Sequence, residues 1–377
     1  MKLHNGRLPD KRSDSYTKLD MYTKTDSANS GISPSEKEKY NSSLICVGIE
    51  GTAHTIGIAV VERTQSNECR VLSNIIDSYK PSTGGIHPRE AANHHADKAP
   101  QILQSAVEKS GISWDEIGLV AYSKGPGLGP CLRTAATAAR SLALTLDMPL
   151  IGVNHCVAHL EIGCATTKCS DPVLLYVSGG NTQVIAFSNR RYRVFGETLD
   201  IGVGNMLDKL GRELGMPFPA GPEIERRAAE AATATKDLID LPYSVKGMDV
   251  AFSGILTAAI NLHRKGHDVD RICYSVQETV FAMLTEVTER AMAHVGKNEV
   301  LLGGGVACNA RLKEMVGIMA RERGAEMFVP EKQYCVDNGA MIAWLGILMH
   351  DSGISLPIEK ATVNQTFRTD DVDVLWR

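Results

Sequence analysis

One pattern occurs twice in this chain, and it limits the fold more than any other feature. LICVGIE (44–50) is an apolar run that enters a glycine turn, IGIAVVE (56–62) is a second, and RVLSNIIDS (70–78) a third. PVLLYVSGGNTQVIAFSN (172–189) is again strand, tight glycine turn, strand, and RYRVFGETLD (191–200) supplies the third run. Apolar runs of this length bounded by turn residues read as strands. Each meander is followed by alternating helix and strand. After the first come a helix over 87–111, opened by Pro88 and closed by Gly111, a strand over 117–127, a helix over 131–148 and a strand over 150–155 feeding a further helix. After the second come helices over 204–214 and 272–296, a strand–glycine turn–helix unit over 299–324, a short strand over 327–330 and a terminal helix over 338–353.

A repeated βββαβαβα unit predicts an α/β protein of two similar lobes facing a cleft, in the manner of the actin, hexokinase and Hsp70 class. A wholly parallel doubly wound sheet is the alternative, but there a helix should separate each pair of strands. The lobes are expected over 44–170, to which the C-terminal helix within 338–377 returns, and over 171–337. Residues 1–43 are polar, with scattered single apolar residues and no periodicity, and are expected to form a disordered extension. They lack the continuous apolar stretch of a secretory signal, and six acidic residues among them are unlike a mitochondrial presequence.

Composition narrows the partners. Hydrophobic residues make up 43% and charged residues 22% of the 377, which suits a globular chain. No stretch is long and apolar enough to span a membrane. The formal charge of −4 lacks the bulk basicity of a protein that grips nucleic acid unaided. Nine cysteines form no CxxC pair, and an odd count argues against a disulfide framework; buried thiols in a reducing cytoplasm are expected.

Three glycine turns are candidates for ligand contact: IEGTAHT (49–55), YVSGGNTQ (176–183) and LGGGVACN (302–309). Glycine there permits close backbone approach, and freed N–H groups can face phosphate or carbonyl oxygens. A hairpin also needs glycine for geometry alone, so the argument rests on three turns at equivalent points of a duplicated fold. No GxxxxGK[ST] occurs, which excludes P-loop chemistry. In NHCVAHLEIG, His155 and His159 stand at i and i+4 on one helix face, where both can reach one ion. Cys156 occupies the place of the glutamate in HExxH, so a zincin hydrolase would lack its general base. Asp337, in CVDNGAMIA, is a plausible third ligand. His94 and His95 are expected to point apart on a polar helix face. The basic runs at 190–193 and 225–227 read as solvated surface, or else as phosphate contacts.

The segments GIEGTAHTIGIAVV, HPREAANHHA, SKGPGLGPCLRTAATAAR, GVNHCVAHLEIG, YVSGGNTQVI, GETLDIGVGNMLDKLGRELG, KGMDVAFSGILTA, GGGVACNARL and DNGAMIAWLG together resemble the universal family of tRNA threonylcarbamoyladenosine synthases. EGTA after the first strand is similar to the archaeal and eukaryotic branch, the catalytic subunit of the KEOPS complex, formerly labelled an O-sialoglycoprotein endopeptidase. The likeness runs from about residue 44 to the C-terminus and extends to the synthase part of archaeal synthase–kinase fusions; the chain's last residues, VDVLWR, stand near where such a kinase would begin. The resemblance implies an actin-like fold with one divalent metal per subunit, iron(II) in preference to zinc, held by His155, His159, Tyr176 and Asp337. It implies ATP or threonylcarbamoyl-adenylate in the cleft, with Tyr176, Val177, Ser178, Gly179 and Gly180 along phosphate and carbamoyl group. Asp208 and Glu225 would take ribose hydroxyls, Gly221 would let the backbone pass, and Asn309 would meet the adenine edge.

The implied reaction carries a threonylcarbamoyl group to the adenosine 3′ to the tRNA anticodon. A metal-dependent glycopeptidase and a non-catalytic ATP-binding regulatory module are the readings from other classes. Implied partners are tRNA and the KEOPS subunits: an atypical small kinase, a dimerising subunit and a further small protein. Lys124, Arg133, Arg190 and Arg191, near turns at the rim of the cleft, are the candidate tRNA contacts.

Overall fold

The computed structural model describes residues 23–24, 43–81, 85–234 and 237–377. Two five-stranded mixed sheets dominate it. The first comprises β1 (Leu44–Glu50), β2 (Thr55–Arg63), β3 (Cys69–Ser78), β4 (Leu119–Gly125) and β5 (Leu150–Asn154). The second comprises β6 (Val173–Val177), β7 (Thr182–Ser188), β8 (Arg191–Glu197), β9 (Glu299–Gly303) and β10 (Glu326–Phe328). Their orders are β3-β2-β1-β4-β5 and β8-β7-β6-β9-β10. In each, the meander is antiparallel and two further strands join parallel to its first member. The duplication read from sequence is therefore the architecture.

Burial explains why these strands were legible. β4, β5 and β6 are buried at every position, so they read as continuous apolar runs. The outer strands β3 and β8 are mostly only partly buried, as sheet edges are.

Helices fill three layers. α1 (Pro88–Ser110) and α2 (Gly129–Leu146) cover one face of the first sheet, sharing a core with Val47, Ile49 and Ile58. α4 (Val203–Glu213), α5 (Gly221–Ala234), α6 (Ser253–Arg264), α7 (Val269–Val295) and α8 (Ala310–Glu322) cover the far face of the second, over Val173, Leu175 and Val177. Between the sheets lie α3 (His155–Thr167) and α9 (Gly339–Asp351), in a core with Cys46 and Ala59 on one side and Leu174 and Tyr176 on the other. Residues 46/47 and 174/175 go to opposite cores because strand side chains alternate. α9 packs against both α3 and the first sheet, which brings the segment before it beside the start of α3.

α5 and α6, left undivided within a helix-rich stretch by the sequence, are separate helices. Within the strand and closing glycine turn read over 117–127, the strand itself is Leu119–Gly125, and Gly129 already opens α2. The expected disordered extension over 1–43 lies outside the described residues, apart from Ser43 and from Thr23–Lys24, which pair antiparallel with Ile354–Ser355. Among the described residues no helix is long and apolar enough to cross a membrane. All nine cysteines are free, six of them buried.

Candidate functional site

β5 ends and α3 begins at one residue, and that junction builds the site. Asn154 caps α3: its Oδ1 accepts from the N–H groups of Cys156 and Val157 at 3.0 and 3.1 Å. Its Nδ2 donates to the carbonyl of Phe367 at 3.1 Å, tying the junction to the C-terminal segment. His155 is thus fixed in the first turn, with His159 one turn on and on the same face. Their rings meet edge-on, centroids 4.8 Å apart.

Asp337 completes the group. It stands between a one-turn helix (Lys332–Cys335) and Asn338, which caps α9 by accepting from Met341 N–H at 3.1 Å. Asp337 Oδ1 lies 3.4 Å from His155 Nε2 and 3.3 Å from His159 Nε2. One ligand atom from each of the three falls within 4.8 Å of the others. Tyr176, fully buried in β6, places its hydroxyl 2.9 Å from His155 Nε2. The four residues named from the sequence for a metal are brought together.

The electrostatics follow from burial and proximity. Burial opposes charge on His155, but Tyr176, Glu50 and Asp337 outweigh it and hold its pKa well above the ordinary histidine value. Burial also opposes ionisation of Asp337, yet the two histidines keep its carboxyl well below the usual range. His159 is pushed down by burial, and the Tyr176 phenol is pushed up by the same cause. Two imidazoles, a carboxylate and a phenol form a mixed N/O set that fits a divalent transition metal. His159 Nδ1 is buried without a hydrogen-bond partner.

Sequence reading missed the group that aims His155. Glu50, fully buried at the end of β1, sets Oε2 3.1 Å from His155 Nδ1. Its Oε1 accepts from both the N–H and the hydroxyl of Thr52, at 2.7 and 2.6 Å. A carboxylate behind a metal-side histidine fixes its tautomer and raises its basicity. The signal was present: a glutamate closing an otherwise apolar buried strand. His95 was misread. It is wholly buried, not on a polar face, and its Nε2–H donates to the Ala53 carbonyl at 3.1 Å. The pair does not point apart either: their Nδ1 atoms are 3.4 Å apart, and His94 Nε2 lies 2.8 Å from Asp77. Burial, then His94, lowers the His95 pKa to about 4.

The second glycine turn is held by backbone. Ser178 N–H donates to the Asn181 carbonyl at 2.8 Å, while Gly204 N–H and Asn205 N–H donate to the carbonyls of Ser178 and Gly179 at 3.1 and 2.9 Å. Gly304, at φ 91°, leaves no room for a side chain: a Cβ there would stand 2.2 Å from the Val177 carbonyl oxygen. Gly180 and Gly221 differ. Neither has a positive φ, and a Cβ on either would meet nothing within 4 Å. The space above them is open.

Other candidates are placed as follows. Asp208 accepts from Ala220 N–H at 2.8 Å, beside Gly221, and Glu225 accepts from Ala310 N–H at 2.7 Å, beside Asn309. The Asn309 side chain is already committed, capping α8 through Oδ1 and donating to Gln277 at 3.0 Å. Lys124, expected on an exposed rim, is 1% exposed, with its ammonium 5.6 Å from the Phe367 ring centroid. Arg191 pairs with Asp373, and Arg226 and Arg227 pair with Glu223, so three arginines of these basic runs are paired within the chain. Arg133 and Arg190 are exposed.

Residues 70–344 match the family model for tRNA N6-adenosine threonylcarbamoyltransferase. The chain is 54% identical over 333 residues to a probable bifunctional tRNA threonylcarbamoyladenosine biosynthesis protein of Thermoplasma volcanium, covering 88% of this chain and 62% of that one. It is 53% identical over 337 residues to a tRNA N6-adenosine threonylcarbamoyltransferase of Thermococcus kodakarensis, covering 88% of this chain and 100% of that one. The chain thus spans about three-fifths of the bifunctional relative and the whole of the single-function one. Among solved structures, HypF of T. kodakarensis aligns with a TM-score of 0.58 at 14% identity, over 86% of this chain and 49% of that one, a likeness of fold.

Proposed function

The chain belongs to the tRNA N6-adenosine threonylcarbamoyltransferase family, and we propose that it transfers threonylcarbamoyl from threonylcarbamoyl-adenylate to the exocyclic amine of the adenosine 3′ to the anticodon. The tRNAs concerned read codons that begin with adenine. The new bond joins that nitrogen to the carbamoyl carbon, the bond from that carbon to the phosphate oxygen breaks, AMP leaves and the amine gives up a proton. The observation that carries this reading is the convergence of His155, His159 and Asp337 within 4.8 Å, beside the turn that follows Tyr176.

His155, His159, Asp337 and Tyr176 would hold one divalent ion, iron(II) in preference to zinc. When bound it supplies a Lewis acid toward the carbamoyl oxygen. Glu50 holds His155 in position, and the glycine turn 178–180 gives the donor's phosphate a backbone wall with open space above Gly180. Asp208, Gly221 and Glu225 lie along α4 and α5, where a ribose can be read by carboxylates. Asn309, with its amide committed, meets the adenine through the backbone at the start of α8. ATP would occupy the same place as the adenylate. The lobes are taken as 44–170 with 338–377, and 171–337.

The hydrolase reading loses ground, since Cys156 is buried and bears no carboxylate. The formal charge of −4 and the pairing of Arg191, Arg226 and Arg227 with carboxylates favour help with tRNA from KEOPS-type subunits, an atypical small kinase and a dimerising subunit among them, in the cytoplasm. The test is mass spectrometry of nucleosides after the metal-loaded chain, supplied with those subunits, meets anticodon stem-loop RNA and the synthetic adenylate. Threonylcarbamoyladenosine at the position 3′ to the anticodon is expected. Its absence, with both substrates shown to bind, would remove the transferase assignment.

A further inference from the structure

The far end of α3, away from the histidines, brings two sulfurs together. Lys168, just past the last turn, has a left-handed backbone at φ 65°, and its N–H donates to the Cys164 carbonyl at 3.0 Å. A helix closed in this way turns the following chain back over its own last turn. Cys169 therefore returns onto Cys164, and their Sγ atoms lie 3.3 Å apart in a shared S–H···S hydrogen bond. Small apolar contacts are common at such caps, and a thiol can serve simply as one.

Three observations set this pair apart from packing. The pair can be reached from solvent, since Cys164 is partly exposed although Cys169 is only 5% exposed. A cation stands beside it: Arg377 Nη2 lies 3.5 Å from Cys164 Sγ, while Nε of the same guanidinium donates to Glu161 at 3.3 Å. Its ionisation also differs from that of the lone thiols. The shared hydrogen lowers the Cys169 pKa and raises that of Cys164, whereas burial pushes Cys69 and Cys273 up to about 12 and Cys131 up to about 11. The thiolate is the reactive form of cysteine, so those three are inert by comparison.

We propose that Cys164 and Cys169 are a reversible dithiol–disulfide couple, oxidised by small-molecule disulfides and reduced by small thiols. The thiolate of the pair attacks one sulfur of the small disulfide, whose S–S bond breaks, and a first small thiolate leaves. The other cysteine passes its proton to that thiolate and attacks the protein-bound sulfur of the mixed disulfide. A second small thiolate leaves and takes a proton from water. Two cysteine sulfurs are oxidised, and one disulfide is reduced to two thiols. The Sγ atoms close from 3.3 Å to about 2.0 Å. The new bond staples the end of α3, the helix of His155 and His159, to the chain that enters β6, the strand of Tyr176.

The experiment incubates the folded, metal-loaded chain with glutathione disulfide, traps the remaining thiols with iodoacetamide and maps the peptides by mass spectrometry over time. A Cys164–Cys169 bridge, two hydrogen masses below the dithiol, should form ahead of any oxidation at Cys69, Cys131 or Cys273, and dithiothreitol should restore both thiols. In denaturant, where the helix cap is lost, that lead should vanish. Cys164→Ser and Cys169→Ser should each leave glutathione on the partner sulfur in place of the bridge. The wild-type map decides the matter by itself should either variant fail to fold. A pair that oxidises no faster than the three lone thiols would overturn the proposal. So would glutathione that persists on one wild-type sulfur without ring closure, or a lead that survives in denaturant, which would trace the bridge to closeness in sequence and not to the cap.

Discussion

The turn after β1 and the turn after β6 occupy equivalent points of the duplicated fold, yet they are held in opposite ways. The first is held by buried side chains: Glu50 grips Thr52 and faces His155, Gly51 N–H donates to Ser123 Oγ at 3.0 Å, and His95 pins the Ala53 carbonyl. The second is held by backbone bonds to α4 and by the absence of side chains at its neighbours. A side-chain network can aim another side chain, and the first turn aims a histidine. A backbone turn with bare glycines leaves its upper surface free, and the space above Gly180 in the second turn is open. Duplication supplied one frame twice, and substitution gave each copy a different task.

The contrast breaks most visibly at Gly304. A methyl group there must displace the Val177 carbonyl and adopt an unfavourable φ, so Gly304→Ala should cost roughly 3 kcal/mol or more in denaturant unfolding. Donor binding should fall with it. An unchanged midpoint would show that the second turn is not held as described.

The next effect is on the first turn and depends on pH. His95 is buried with its pKa lowered from 6.5 to about 4, so its unfolded form takes up a proton that the folded form refuses. Stability should therefore fall as pH drops from about 6.5 towards 4, by at most about 3 kcal/mol. His95→Gln should lack that component, which the difference between the two unfolding curves isolates. Parallel curves across this range would mean that His95 does not carry the turn.

A smaller effect on stability, with a larger one on function, is expected at Glu50. Glu50→Gln keeps an acceptor for Thr52 but removes the carboxylate behind His155, so metal affinity should drop roughly 10- to 100-fold. Competition with a chelator reads this directly, and unaltered affinity would reduce Glu50 to a packing residue. Least of all is expected from Gly180→Ala on unfolding, within about 0.5 kcal/mol, since its Cβ enters open space. The same variant should still lose ATP affinity if the donor lies there.

Much of this arrangement was legible beforehand because the parts that matter are local in sequence. Strand, glycine turn and strand are contiguous in each copy, over 44–63 and 173–188, and His155 and His159 are one helical turn apart. Asp337 was within reach because it interrupts an apolar context just before a buried helix. Glu50 and His95 were not legible, since their contacts are with residues 105 and 42 positions away. Two adjacent histidines on an amphipathic helix read as surface; only the docking of the first turn onto α1 buries one of them. Lys124 misled for the same reason, because a lysine beside a glycine turn reads as exposed until Phe367 is laid across it.

The central claim is that the two differently built turns serve one metal centre at the start of α3. Elemental analysis of the purified chain, reconstituted anaerobically with iron(II) and freed of loose ions, tests it most directly. About one ion per chain is predicted for the wild type, and a small fraction of that for the His155→Ala, His159→Ala double variant, with the fold retained by circular dichroism. Full occupancy in the folded double variant would contradict the account.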